Sequence, residues 1–271
     1  KSKNTSLKTM ERENMPTKAK VGHIIWHDLL TQNVAQAKHF YAGLLNWNYQ
    51  IEHASDFVWK PGEAEYPLIF VNGEAHGGFV DFEPAHRSGW TAYVMVQNTD
   101  AVTAKAKSLG LRILREPFDT PGVGRSSLIQ DPQGALICPT YPTHTFPAPS
   151  GTFLWDELIT DDVESTTLLY CDLFGWRFQK NDMTQTGGDA VLKRTDSTNH
   201  IQITNQFFGA VGFAAWIPYL ATSDIDTTIV TAKQLGASVC KEDIFSPGSG
   251  TKKAILKDPV GAMFGLLAPS P

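Results

Sequence analysis

The chain has 271 residues, 42% hydrophobic and 19% charged, with 23 Lys+Arg against 28 Asp+Glu. This is ordinary globular composition, with room for one large domain or two of about 100–150 residues. The net charge of −5 gives no basic footprint for nucleic acid or an anionic membrane surface, and no apolar run approaches the ~20 residues that span a bilayer.

Residues 1–20 carry six Lys/Arg, two Glu and almost no apolar side chain. They are expected to form a disordered basic tail. They hold no apolar core of a signal peptide, so the expected compartment is the cytoplasm, with a leader removed ahead of Lys1 left open. Cys138, Cys171 and Cys240 are odd in number, far apart and without a CxxC pair, which reads as buried thiols in a reducing compartment.

Val21, Ile24, Ile25, Trp26, Leu29 and Leu30 predict a strand over 21–32. Asn33 then caps a helix, with Gln36 as its partner three residues on. Val34, Ala37, Tyr41 and Leu44 fall on one helical face, and Asn46 stops the helix in the left-handed conformation. Short strands are expected near 48–53, 55–59, 67–72 and 77–82, punctuated by Pro61-Gly62, Asn72-Gly73 and Gly77-Gly78. A second cycle follows: TAYVMVQ from Thr91 as a strand, Asp100 to Leu109 as a helix stopped by Gly110, and strands through 111–118 and 125–138. PGVG at 121–124 and DPQGA at 131–135 are turns between them. Pro142, Pro147 and Pro149 mark a linker placed at 143–149.

Residues 154–176, LWDELITDDVESTTLLYCDLFGW, then repeat 25–47, IWHDLLTQNVAQAKHFYAGLLNW, with no gap. Trp26, Asp28, Tyr41, Leu44 and Trp47 match Trp155, Glu157, Tyr170, Leu173 and Trp176. Further on, Trp90, Tyr93, Gly110 and Asp131 match Trp216, Tyr219, Gly236 and Asp258. The chain is a tandem duplication, with domains expected at 21–142 and 150–269. Trp26, Trp90, Trp155 and Trp216 each open a strand that leads to a helix. This predicts four βαβββ units, two per half, in an α+β fold whose sheets curl around a cavity.

A strand, then N/D-x6-F/L-Y-x2-L-L/F-x-W, a second module whose helix ends in Leu-Gly, a PGxG turn and DPxGA together resemble the vicinal oxygen chelate superfamily. That group holds glyoxalases, bleomycin-resistance proteins and extradiol dioxygenases. The chain is most similar to its two-domain glyoxalase-like members over residues 21–269. The resemblance implies paired βαβββ modules forming a half-open barrel around a ligand cavity. In metal-using members one ligand lies seven residues before the helix-starting Asp/Asn, which here gives Trp26 and Trp155. Another lies seven residues after the Asp of DPxG, which gives Cys138 and Gly265. Neither pair is a His/carboxylate set for a divalent metal, so no metal and no cofactor is expected at these positions. A register slip of one would bring in His27, but on the opposite strand face.

Asp28 and Glu157 stand two residues beyond Trp26 and Trp155, hence on the same strand face. Each would place one carboxylate beside a flat apolar surface, as an anchor for a ligand hydroxyl or amine or as a general base, or else as a structural acceptor for backbone donors. These two are the catalytic candidates. Trp26, Trp59, Tyr93, Trp155, Trp216 and Tyr219 are the ligand-lining candidates. Seven of the eight histidines precede residue 145, which favours the first half for chemistry. The leading expectation is a protein that binds a small organic molecule without the superfamily metal, with no nucleic-acid or membrane partner. One rival is a metal-dependent lyase, isomerase or dioxygenase with a relocated site of His27, His76 and Asp28. Another is a noncatalytic interaction module.

Overall fold

The computed structural model describes residues 20–55, 63–82, 87–145, 148–180, 191–195, 201–245 and 251–268. The first half contributes β1 (Ile24–Thr31), α1 (Val34–Leu45), β2 (Asn48–Ser55), β3 (Glu63–Val71) and β4 (Glu74–Asp81). It continues with β5 (Gly89–Met95), α2 (Thr99–Ser108), β6 (Arg112–Thr120), β7 (Gly124–Gln130) and β8 (Leu136–Pro142). The second half repeats the order: β9 (Phe153–Ile159), α3 (Val163–Phe174), β10 (Phe178–Lys180), β11 (Val191–Arg194) and β12 (Ile201–Thr204). After a one-turn helix, α4 (Phe208–Val211), come β13 (Ala215–Ala221), α5 (Ile225–Gln234), β14 (Ser238–Phe245), β15 (Lys252–Lys257) and β16 (Met263–Ala268).

Each half builds one eight-stranded sheet, in the orders β2-β3-β4-β1-β5-β8-β7-β6 and β10-β11-β12-β9-β13-β16-β15-β14. Within a module the first and last strands run parallel, as β1 with β4 and β5 with β8, while β1 and β5 join the two modules antiparallel. This is the α+β duplication of paired βαβββ units. The strand expected near 55–59 is absorbed into β2 as far as Ser55; the rest of it, including Trp59, lies outside the described residues. No helix among the described residues is long and apolar enough to cross a membrane.

Local chemistry sets the helix ends. Asn33 and Asp162 accept the backbone N–H of Gln36 and Ser165 at 3.1 and 3.0 Å, supplying partners to otherwise orphaned donors. Asn46 and Gly175 close the same helices with φ of +55° and +69°, the left-handed conformation that a C-terminal stop needs.

The helices lie where the two halves meet, and the core there is shared. One buried cluster joins Leu29, Phe40, Tyr41, Phe79 and Trp90 to Ile225, Ile229, Leu256, Phe264 and Leu266 of the second half. Another joins Val94, Ala106, Ile129 and Ile137 to Leu158, Tyr170, Trp176 and Trp216. The first module therefore packs with the fourth, and the second with the third. Trp47 and Trp176 stack on Tyr41 and Tyr170 in these clusters. Two smaller clusters fill the opposite, inner faces. In the first half that cluster is Leu30, Tyr66, Val80, Phe82, Tyr93, Leu128 and Cys138, with Trp26 half-buried against it. Cys138 is the buried thiol expected; Cys171 and Cys240 are half-buried instead.

Candidate functional site

Strand pairing brings the site together. Trp26 on β1 lies opposite Tyr93 on β5, and Tyr93 opposite Cys138 on β8. Asp28, two residues along β1, lies opposite Gly78 on β4. These residues share the inner face because strand side chains alternate.

Asp28 is 2% exposed and is held by three donors. The hydroxyl of Tyr66 donates to Oδ1 at 2.5 Å, that of Tyr93 to Oδ2 at 2.5 Å, and the indole N–H of Trp26 to Oδ1 at 3.0 Å. The same indole also reaches the Tyr66 hydroxyl at 3.0 Å. Tyr66, on β3, reaches this position because Gly78 leaves room: a Cβ there would sit 2.1 Å from its hydroxyl oxygen. Burial pushes the Asp28 carboxyl up, against the hydrogen bonds and the His27 charge that pull it down. Burial, reinforced by the Asp28 charge, pushes the phenols of Tyr66 and Tyr93 and the thiol of Cys138 well up, so all three keep their protons. The result is a desolvated carboxyl held by two hydroxyls and an indole, with the half-buried Trp26, Leu68, Leu114 and Phe118 packed against its cluster. It is suited to orient a ligand hydroxyl or amine and to exchange a proton with it.

The second half builds the same row differently. Trp155 pairs with Tyr219, and Tyr219 with Gly265. Glu157 is buried and accepts from Tyr219 at 2.6 Å, but its Oε1 also meets the ammonium of Lys253 at 3.0 Å. That ammonium lies 5.0 Å from the ring centres of both Trp155 and Tyr219. The equivalent position in the first half is Ser126, bonded to Thr140. Among the described residues, one inner face thus holds a carboxyl with neutral hydroxyl and indole partners, and the other a neutralised ion pair.

The positions that resemble metal ligands in this fold do not fit a divalent metal. Trp26 and Trp155 offer no lone pair. Cys138 is a fully buried, soft thiol rather than the imidazole or carboxylate of a His/carboxylate set. At Gly265 a Cβ would lie 2.3 Å from the Tyr219 ring, so no ligating side chain fits there. The relocated site is also corrected. His27 faces away from Asp28, bonds Asp156 at 2.8 Å and stacks on Phe153. Among the described residues no group of three or more His, Cys, Asp or Glu comes together.

Trp216 needs a correction too: it packs on the helix side, its indole donating to Tyr170 at 3.1 Å. It stands three residues from Tyr219, an odd separation, so strand parity already places the two on opposite faces. Tyr66 and Lys253 escaped the sequence reading. A Gly-Gly pair on β4 was the available signal for the first; nothing in the repeat announced the second.

Residues 20–138 match the model of the Glyoxalase/Bleomycin resistance protein/Dioxygenase superfamily. The chain is 30% identical over 254 residues to the protein named "Putative glyoxylase CFP32" of Mycobacterium tuberculosis (strain CDC 1551 / Oshkosh), covering 91% of this chain and 94% of that one. It is 27% identical over 267 residues to the anthracycline biosynthesis protein DauV of Streptomyces sp. (strain C5), covering 89% and 91%. Among solved structures, 2,2',3-trihydroxybiphenyl 1,2-dioxygenase of Sphingomonas wittichii strain RW1 superposes with a TM-score of 0.59 at 11% identity, covering 92% of this chain and 91% of that one.

Proposed function

Because the chain belongs to the glyoxalase/bleomycin resistance protein/dioxygenase superfamily, we propose that it binds a small organic molecule on the inner face of its first sheet. Trp26 supplies the flat apolar wall, and Asp28, with Tyr66 and Tyr93, supplies the polar end. The observation that carries this reading is the buried Asp28 carboxyl, whose described partners are neutral donors. Asp131 and Asp258, also buried among neutral donors, close backbone turns, whereas Asp28 has no backbone donor among the described residues. A ligand hydroxyl or amine that reaches this cluster joins an existing hydrogen-bond network, with Asp28 as proton acceptor. The usual metal ligand set has no part in it, since Trp26 and Cys138 stand at those positions.

Glu157 and Lys253 make the second inner face a structural counterpart in this reading. The relative DauV, named for anthracycline biosynthesis, is itself tied to small-molecule chemistry. A thermal-shift screen against hydroxylated and amine-bearing metabolites tests the proposal, because a ligand that binds only the folded chain raises its melting temperature. The expected hit loses its effect in Asp28→Asn and Trp26→Ala. Hits that ignore both substitutions would overturn the reading, as would stoichiometric metal required for their binding.

A further inference from the structure

A cavity of about 210 Å³ lies where the halves meet, and Asp28 is not among the residues that line it. Arg87, Trp90, Arg112 and Leu114 of the first half face Phe213 and Trp216 of the second across it. Residues 87–90 and 213–216 are repeat equivalents, so this cleft sits on the local two-fold relation between the halves. Equivalence breaks down there: Arg87 stands opposite its own counterpart, Phe213, with the guanidinium carbon 4.1 Å from the ring centre. Stacking engages the face of a guanidinium and leaves its in-plane N–H fork available. Among the described residues neither Arg87 nor Arg112 has a carboxylate partner, whereas Arg125 is clamped by Asp100 and Asp119. Two guanidinium groups without a described carboxylate partner, beside the half-buried Leu114, Leu136 and Phe213, suit a ligand with one anionic end and one apolar end.

We propose that this interdomain cleft binds a compact aromatic carboxylate or a similar amphipathic organic anion. Its acidic group is held by Arg87 and Arg112, and its ring lies against the half-buried Leu114, Leu136 and Phe213. The proposed contacts include neither Asp28 nor Trp26, and Leu114 borders both the cleft and the inner-face cluster.

Isothermal titration calorimetry of the full chain with 2-naphthoate tests this, with uncharged 2-naphthol as the comparison. The expected result is saturable 2-naphthoate binding, weakened at least about tenfold in Arg87→Glu and in Arg112→Glu, with 2-naphthol binding weaker by a similar factor. Both arginines are exposed, so the variants are expected to fold. Arg112→Gln, which removes the charge without reversing it, gives the same readout should a glutamate variant fail. Equal affinity for the two probes would overturn the proposal, as would the absence of saturable binding. Affinity that ignores both arginines but is lost in Trp26→Ala would overturn it as well.

Discussion

The phenol of Tyr41 donates to Oδ2 of Asp258 at 3.0 Å, tying the first helix to a turn 217 residues further on. Tyr170 does the same to Asp131 at 3.2 Å, in the reverse direction between the halves. Each phenol also accepts an indole N–H, from Trp90 at 3.0 Å and Trp216 at 3.1 Å. Each carboxylate uses its other oxygen to close its own DPxGA turn, on the N–H groups of Ala135 and Ala262. Helix, turn and strand of opposite halves are thus fastened twice by one motif.

Removing either hydroxyl strips a donor from a buried carboxylate and an acceptor from a buried indole. Tyr41→Phe and Tyr170→Phe should each destabilise the chain by about 1–3 kcal/mol in urea unfolding. Losses under about 0.5 kcal/mol at both positions would show that these bonds contribute nothing net.

Burial raises the Asp258 carboxyl from 3.8 to about 6. The folded chain therefore holds that proton more tightly than the unfolded one. The stability this contributes is fully present below the unfolded value and is lost as pH rises through about 6. Compared with Asp258→Asn, wild-type stability should fall by about 2–3 kcal/mol between pH 4 and pH 7. A difference that stays flat or rises over that window in paired denaturation series contradicts the assignment.

Lys253 and Glu157 are 5% and 1% exposed, and breaking a buried pair leaves one charge without compensation. Lys253→Met should cost about 3–5 kcal/mol. The double variant Lys253→Met/Glu157→Gln should recover part of that loss. A double variant less stable than Lys253→Met would mean that the ion pair is not what the lysine supports.

Trp47 and Trp176 are 4% and 2% exposed and stack on the two clasping tyrosines. Either indole replaced by alanine should cost about 3–5 kcal/mol. Calorimetric losses below about 1 kcal/mol at both would remove them as packing anchors.

With any ligand found by the thermal-shift screen, Asp28→Asn should weaken binding more than Glu157→Gln. Among the described residues Asp28 has only hydroxyl and indole partners, whereas Glu157 is engaged by Lys253. Equal or reversed effects would place the ligand in the second half or elsewhere.

Duplication, the four βαβββ units and the helix ends at Asn33 and Asn46 were legible in the residues, because each depends on local spacing and backbone preference. So was the shared strand face of Trp26 and Asp28, which alternation alone determines. Repeat matching also picked out Tyr41, Tyr170, Asp131 and Asp258 as corresponding positions. It could not tell that each tyrosine reaches the aspartate of the other half, because a match gives correspondence, not contact. Only tertiary structure decided that the halves share two cores, that Tyr66 enters the space left by Gly78, and that Lys253 neutralises Glu157. Those outcomes depend on which side chains residues distant in sequence bring within hydrogen-bond range, and no period or motif along the chain carries that information.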